Sequence, residues 1–257
     1  MANITVKYFS NALNRKISFD MYLPNDYTDS RREKTKTLFV LHGYTCDAYN
    51  WVPEHLAQKY NFAVVAPNGE NSFWLDRPST GHKFCTFVGS ELVEYIRRTF
   101  GLAASAEDTY IMGYSMGGFG ALHTAFAFPE NFGKTAAMSS ALIIHQIARM
   151  KPDADNGLAN YDYYREYFGD LETVEESDSN PEMLVKRLKA SGSIPEIYMC
   201  CGTEDFLLEE NRAFHGFLDG IEVPHAYFES KGAHDMVFWN EYTEKFIKMM
   251  FGCNESV

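Results

Sequence analysis

No stretch of this 257-residue chain approaches the roughly 18 consecutive apolar residues that a membrane-spanning helix needs. Basic clusters are missing too. With 35 acidic residues against 23 basic ones, the net charge is −12, which argues against nucleic acid or an anionic membrane as partner. Arg31-Arg32-Glu33-Lys34 is a short mixed-charge segment and reads as a solvated loop. The N-terminus lacks a charged region followed by an apolar stretch, so no export signal is legible and a cytoplasmic protein is expected. Cysteine is scarce and odd in number: Cys46, Cys85, Cys200, Cys201 and Cys253, none in C-x-x-C spacing. Reduced thiols fit this pattern better than a disulfide framework or a zinc site. Internal repeats and low-complexity segments are also absent.

What is present is a chain long enough for one large α/β domain or two small ones. Residues 4–9 and 17–23 alternate apolar and polar side chains around a polar turn, the pattern of an antiparallel hairpin at a sheet edge. Residues 37–41 and 62–66 are continuous apolar runs, as strands buried on both faces require. Residues 109–112, 134–138, 196–201 and 225–228 complete the strands. Residues 51–60, 84–100, 118–128, 211–218 and 235–250 read as helices between and after them. This alternation predicts one doubly wound, mostly parallel α/β sheet over the whole chain. Residues 143–193 interrupt it. They hold Tyr161, Tyr163, Tyr164, Tyr167 and Phe168, an acidic run and a helix near 181–190, but no buried strand. The expectation is a cap over the sheet's ligand-binding edge; a subdomain that merely packs there is the alternative.

Gly113-Tyr114-Ser115-Met116-Gly117 lies between the strand at 109–112 and a helix rich in Ala, Leu and Phe. As an isolated G-x-S-x-G it is weak, since chance supplies the pattern in roughly one chain in ten of this length. Its setting is more specific: strand, glycine-flanked serine, helix is the context of a nucleophile elbow, which exposes a serine hydroxyl at a tight turn. Such a hydroxyl needs a histidine to take its proton, a carboxylate to orient that histidine, and N–H donors for the oxyanion. Asp205 follows the strand at 196–201, with Glu204 as its local competitor and Asp219 a distant one. His234 follows the strand at 225–228, whereas His42 precedes the serine in the chain and His225 sits at a strand's start. The order Ser115, Asp205, His234 is that of the α/β-hydrolases. The expected oxyanion donors are the N–H groups of Met116 and, after an early strand, Tyr44 in Leu41-His42-Gly43-Tyr44.

These residues resemble the esterase D group of α/β-hydrolases, which includes tributyrin esterases, S-formylglutathione hydrolases, and feruloyl and acetyl-xylan esterases. Gly113-Tyr-Ser-Met-Gly-Gly-Phe-Gly-Ala-Leu122, Gly43-Tyr-Thr-Cys-Asp47 and Gly202-Thr-Glu-Asp-Phe-Leu207 carry the likeness, with Ser-Met-Gly-Gly its most specific element. The resemblance implies an α/β-hydrolase fold with helices on both sheet faces, the triad Ser115, His234 and Asp205, and oxyanion donors at Tyr44 and Met116. It further implies that Trp74, in Asn71-Ser-Phe-Trp-Leu-Asp76, borders the acyl pocket; core packing is the alternative for that side chain. His-Asp-x-x-Phe-Trp after Ala233 is similar to the tributyrin and carbohydrate esterase branch, while Thr45-Cys46 is similar to S-formylglutathione hydrolases.

The expected function is a serine carboxylesterase cleaving acetyl, butyryl or feruloyl esters through an acyl-enzyme, with thioester hydrolysis as the alternative. A non-catalytic binding module on the same fold is disfavoured by the presence of all three triad side chains. The chemistry needs no metal or organic cofactor. The expected partner is a small-molecule ester, an acylated oligosaccharide among the candidates, and a homo-oligomer stays open.

Overall fold

The computed structural model describes residues 2–24, 35–48, 51 and 53–252. The segment 31–34 and Cys253 lie outside the described residues. Eight strands form a single sheet in the order β1-β2-β4-β3-β5-β6-β7-β8. The hairpin β1 (Ala2–Ser10) and β2 (Arg15–Leu23) forms one edge, paired from Ala2↔Leu23 to Ser10↔Arg15. β2 runs antiparallel to β4 (Ala63–Pro67). From β4 onward all neighbours are parallel: β3 (Thr37–Leu41), β5 (Thr109–Tyr114), β6 (Lys134–Met138), β7 (Glu196–Gly202) and β8 (Ala226–Ser230). A parallel neighbour can be reached only by a crossover, and the crossovers put helices on both faces.

The period-two geometry of a strand sorts the core into two layers. Phe39 and Leu41 of β3 point into one layer, Leu38 and Val40 into the other. The second layer is covered by α1 (Glu54–Tyr60), through Leu56 and Ala57, and by the C-terminal helix, through Phe238, Trp239, Tyr242 and Phe246. Fully burying one such aromatic stabilises the fold by about 1.5–3 kcal/mol, so this helix is strongly held. The first layer is covered by α2 (Val93–Phe100), α3 (Met116–Ala127) and four later helices.

The helix expected over 84–100 is not uniform. A short α turn, Phe84–Thr86, passes through a π-helical segment, Phe87–Leu92, before α2 begins. Gly89 in that segment lies so close to the Phe128 ring that a Cβ there would sit 2.2 Å from it. The helix ends where expected, at Gly101, with φ +65° and its N–H bonded to Arg97 O.

The 143–193 segment carries α4 (Ile144–Ile147), α5 (Tyr161–Phe168) and α6 (Pro181–Ser191). Asn160 and Asn180 cap the latter two through their side chains, and Pro181 opens α6 where no N–H is needed. Phe168, Leu171, Val174 and Val185 are buried in the first core layer, and Asp178 O accepts a hydrogen bond from His123 Nε2 at 2.8 Å. The segment is therefore built into the core as well as lying over the strand ends. α7 (Leu208–Gly220) and α8 (Met236–Phe251) follow β7 and β8. No helix among the described residues is long and apolar enough to cross a membrane. Cys46, Cys85, Cys200 and Cys201 are all free.

Candidate active site

Ser115 stands between β5 and α3 at φ 55° and ψ −122°, a conformation that L-residues avoid and that marks stored backbone strain. The surroundings hold it there. Ser115 N–H donates to Met138 O at 2.9 Å, and Ser115 O accepts from Phe119 N–H at 3.1 Å and Ala141 N–H at 3.0 Å. The flanking glycines have a reason in close packing. A Cβ on Gly113 would lie 2.3 Å from Gly117 O, and one on Gly117 would lie 2.0 Å from Leu41 O. The elbow is thus wedged against the end of β3. Gly117→Ala is expected to cost about 1–3 kcal/mol of stability, as overpacking does, read as a lower urea midpoint. A midpoint equal to wild type would contradict this packing.

The loops after β7 and β8 bring their side chains to the serine. His234 Nε2 lies 3.0 Å from Ser115 Oγ, and its Nδ1 lies 3.0 and 2.9 Å from the two carboxylate oxygens of Asp205. The Asp205 side chain is fully enclosed. Burial works to raise its carboxyl, but bonds from His234, Leu207 N–H and Ser139 outweigh it, holding the group below the usual carboxylate range. Glu204, the sequence competitor, faces solvent near Lys231. The two loops are pressed together at Gly202, where a Cβ would sit 2.2 Å from Gly232 O. Asp235 then caps α8, its Oδ1 accepting from Val237 and Phe238 N–H at 2.9 and 3.0 Å. Helix start and imidazole position are fixed together.

Three residues that sequence reasoning missed also hold the imidazole. Trp239 packs edge-on to it at 4.8 Å while donating from Nε1 to Ser139 Oγ at 3.0 Å. Phe206 covers another side at 4.5 Å and is itself 62% exposed. The His-Asp-x-x-Phe-Trp run was a signal for Trp239; nothing in the sequence pointed to Ser139.

The loop carrying Tyr44 lies beside the serine: a Cβ on Gly43 would be 3.5 Å from Ser115 Cβ. His42 shapes it from below. Its Nε2 accepts from Gly69 N–H at 2.9 Å and its Nδ1 donates to Gly43 O at 2.8 Å. Burial lowers its pKa, keeping the ring neutral as this tautomer requires. Asn71 Oδ1 accepts from Thr45 N–H at 2.8 Å, and Asn71 O accepts from Tyr163 OH at 2.5 Å. Met116, the first residue of α3, has an N–H with no partner earlier in the helix. Met116 and Tyr44 both line the cavity beside the Ser115 turn.

Trp74 requires a correction. It does not border the cavity but is 0% exposed, with Nε1 donating to His42 O at 3.3 Å. Its indole fills space left by two glycines: a Cβ on Gly69 or Gly120 would lie 2.4 Å from the ring. Phe73 and Trp74 both take positive φ, 51° and 57°, and it is Phe73 that lines the cavity. The cavity over Ser115 holds about 480 Å³. Met116, Tyr44, Phe73, Tyr163, Tyr164 and Phe206 form much of its wall, with His234 and Ser115 at its floor. A polarised hydroxyl, a proton acceptor and backbone amides converging in an aromatic cavity can perform acyl transfer.

Comparison with known proteins accords with this geometry. The esterase family profile matches residues 10–243. The chain belongs to the esterase family. An acetyl esterase of Caldicellulosiruptor saccharolyticus is 42% identical over 255 residues, covering 94% of this chain and 95% of that protein. The S-formylglutathione hydrolase of Staphylococcus aureus superposes with a TM-score of 0.83 at 25% identity, covering 97% of this chain and 98% of that one. A ferulic acid esterase shares the fold, with a TM-score of 0.76 at 22% identity over 97% of this chain and 98% of its own. This esterase is a carboxylic ester hydrolase with an α/β-hydrolase fold.

Proposed function

We propose that this esterase removes short acyl groups, acetyl foremost, from small-molecule esters through an acyl-enzyme on Ser115. The observation that carries this reading is the unbroken chain from Ser115 Oγ through His234 to the buried Asp205 carboxylate. Ser115 Oγ attacks the ester carbonyl as its proton passes to His234 Nε2. Asp205 holds Nδ1–H and stabilises the imidazolium that forms. The oxyanion is received by the amides of Met116 and Tyr44. The imidazolium then protonates the departing alcohol, and a water, deprotonated by the same nitrogen, hydrolyses the acyl-enzyme.

Two observations support a short acyl group. The volume of about 480 Å³ lies toward the lower end of the roughly 300–1,000 Å³ typical of small-molecule sites. A relative that matches along nearly the full length of both chains is an acetyl esterase. On the alcohol side, the exposed apolar faces of Phe206 and Leu158 at the rim suit the flat face of an acylated sugar. A feruloyl ester is the second reading, favoured by the aromatic wall of Phe73, Tyr163 and Tyr164. The test is kcat/KM across acetyl, butyryl, octanoyl and feruloyl esters, with S-formylglutathione as a thioester arm. A fall of about tenfold or more beyond butyryl is expected, the scale on which pockets reject added methylenes. Octanoyl or S-formylglutathione turnover exceeding acetyl would overturn the acetyl reading. Feruloyl exceeding acetyl would select the second.

A further inference from the structure

Among the described residues, one trio of metal-ligating side chains brings its donor atoms within 4.8 Å of one another: His215, Asp219 and His225. His215 and Asp219 lie one turn apart on α7 and so share a face. His225 stands immediately before β8, with only 2% of its side chain exposed. Its Nδ1 lies 2.8 Å from Val223 O, so that nitrogen carries the proton and the Nε2 lone pair points at His215 Nδ1, 2.7 Å away. The Asp219 carboxylate reaches toward both rings without hydrogen-bonding either, 3.6 Å from His215 Nε2 and 4.0 Å from His225 Nε2. Tyr227 stacks on His215 at 4.6 Å and fixes its plane. Glu229, the neighbouring carboxylate, is occupied by Arg212 and Tyr227.

We propose that His215, Asp219 and His225 bind one divalent first-row transition-metal ion, for which Zn²⁺ is the probe. Two imidazoles and a carboxylate match zinc, nickel or copper, whereas magnesium and calcium seek all-oxygen sets. The Nδ1–H of His225 on a backbone carbonyl is the arrangement that orients ligating histidines and fixes their tautomer. To admit the ion, the two ring nitrogens open from 2.7 Å to roughly 3.3 Å, the separation set by bonds of about 2.0–2.1 Å at a tetrahedral centre. The His215 tautomer protonated on Nε2 frees Nδ1 for the metal, and the exposed Asp219 carboxylate closes by rotation. Water completes the coordination. A plain hydrogen bond between two neutral rings accounts for the 2.7 Å contact, but not for the carboxylate aimed at both.

The ion would tie the C-terminal end of α7 to the start of β8. α7 begins at Leu208, just after Asp205, and β8 ends at Ser230, just before His234. The site therefore clips together, at their far ends, the two elements that carry the acid and the base. Its effect is on stability and not on turnover.

The experiment uses the full chain, freed of metal by a chelator and titrated with Zn²⁺ by calorimetry, with Co²⁺ as an absorbing substitute. We expect one equivalent to bind, Tm to rise with Zn²⁺, and esterase activity of the chelated protein to be retained. Asp219→Asn, at an exposed position that leaves the core intact, and His225→Gln should each raise Kd at least tenfold. Ser115→Ala should bind as wild type does. Absence of saturable binding up to about millimolar Zn²⁺, or binding unchanged in Asp219→Asn, would overturn the proposal.

Discussion

Ser115→Ala is expected to lower kcat/KM for p-nitrophenyl acetate by a factor on the order of 10⁴–10⁶, the scale on which nucleophile removal acts in serine hydrolases. The size of the effect follows from the division of labour at the site. In the proposed mechanism the hydroxyl is the group on which covalent chemistry depends, while Asp205 and the elbow backbone are positioned by bonds that do not involve Ser115 Oγ. Asp205 is held by Leu207 N–H at 2.9 Å, and the elbow by main-chain bonds to Met138, Phe119 and Ala141. The alanine protein should consequently keep its fold, with Tm within about 2 °C of wild type. The residual rate would reflect binding and oxyanion stabilisation alone. Turnover within tenfold of wild type, in a protein with unchanged Tm, would remove Ser115 from the reaction.

Asp205→Asn should reduce kcat on the order of 10⁴-fold, for a reason of tautomerism rather than of fold. Both carboxylate oxygens lie within 3.0 Å of His234 Nδ1. An amide at this place keeps its oxygen toward Leu207 N–H and sets its NH₂ against Nδ1. That geometry favours the imidazole whose proton is on Nε2, which then donates to Ser115 instead of accepting from it. The charge that steadies the imidazolium is lost as well. The check is kcat with acetyl ester alongside proton NMR of the His234 ring. A loss under tenfold, or an Nδ1–H resonance unchanged from wild type, would mean that another group sets the tautomer.

Much of this architecture could be read along the chain because it depends on local patterns. Thr37–Leu41 and Lys134–Met138 emerge with their expected bounds, the first because a strand buried on both faces reads as a nearly continuous apolar run. Ser115, Asp205 and His234 could be placed because each follows a legible strand, and strand ends in a parallel sheet converge. The failures are those of long-range packing. Trp74 looks like a pocket residue until Gly69 and Gly120 are seen to leave room for its indole. Ser139 meets Trp239 across 100 residues of sequence, and Tyr163 meets Asn71 across 92. No periodicity encodes such encounters. In 143–193 the helix near 181–190 was legible, but the helices Ile144–Ile147 and Tyr161–Phe168, and the packing of α6 against α3, were not.

The Tyr163 hydroxyl bears on more than the shape of the cavity. It is joined through Asn71 to the Thr45 amide, next to Tyr44. The surface that would select an acyl group and the loop that would receive its oxyanion are therefore a single mechanical unit. On the proposed mechanism, selectivity and speed are not separate dials in this molecule. An engineer who trims Tyr163 to admit a bulkier ester loosens the electrostatic catch at the same stroke, and should look for compensation at Asn71 rather than deeper in the cavity.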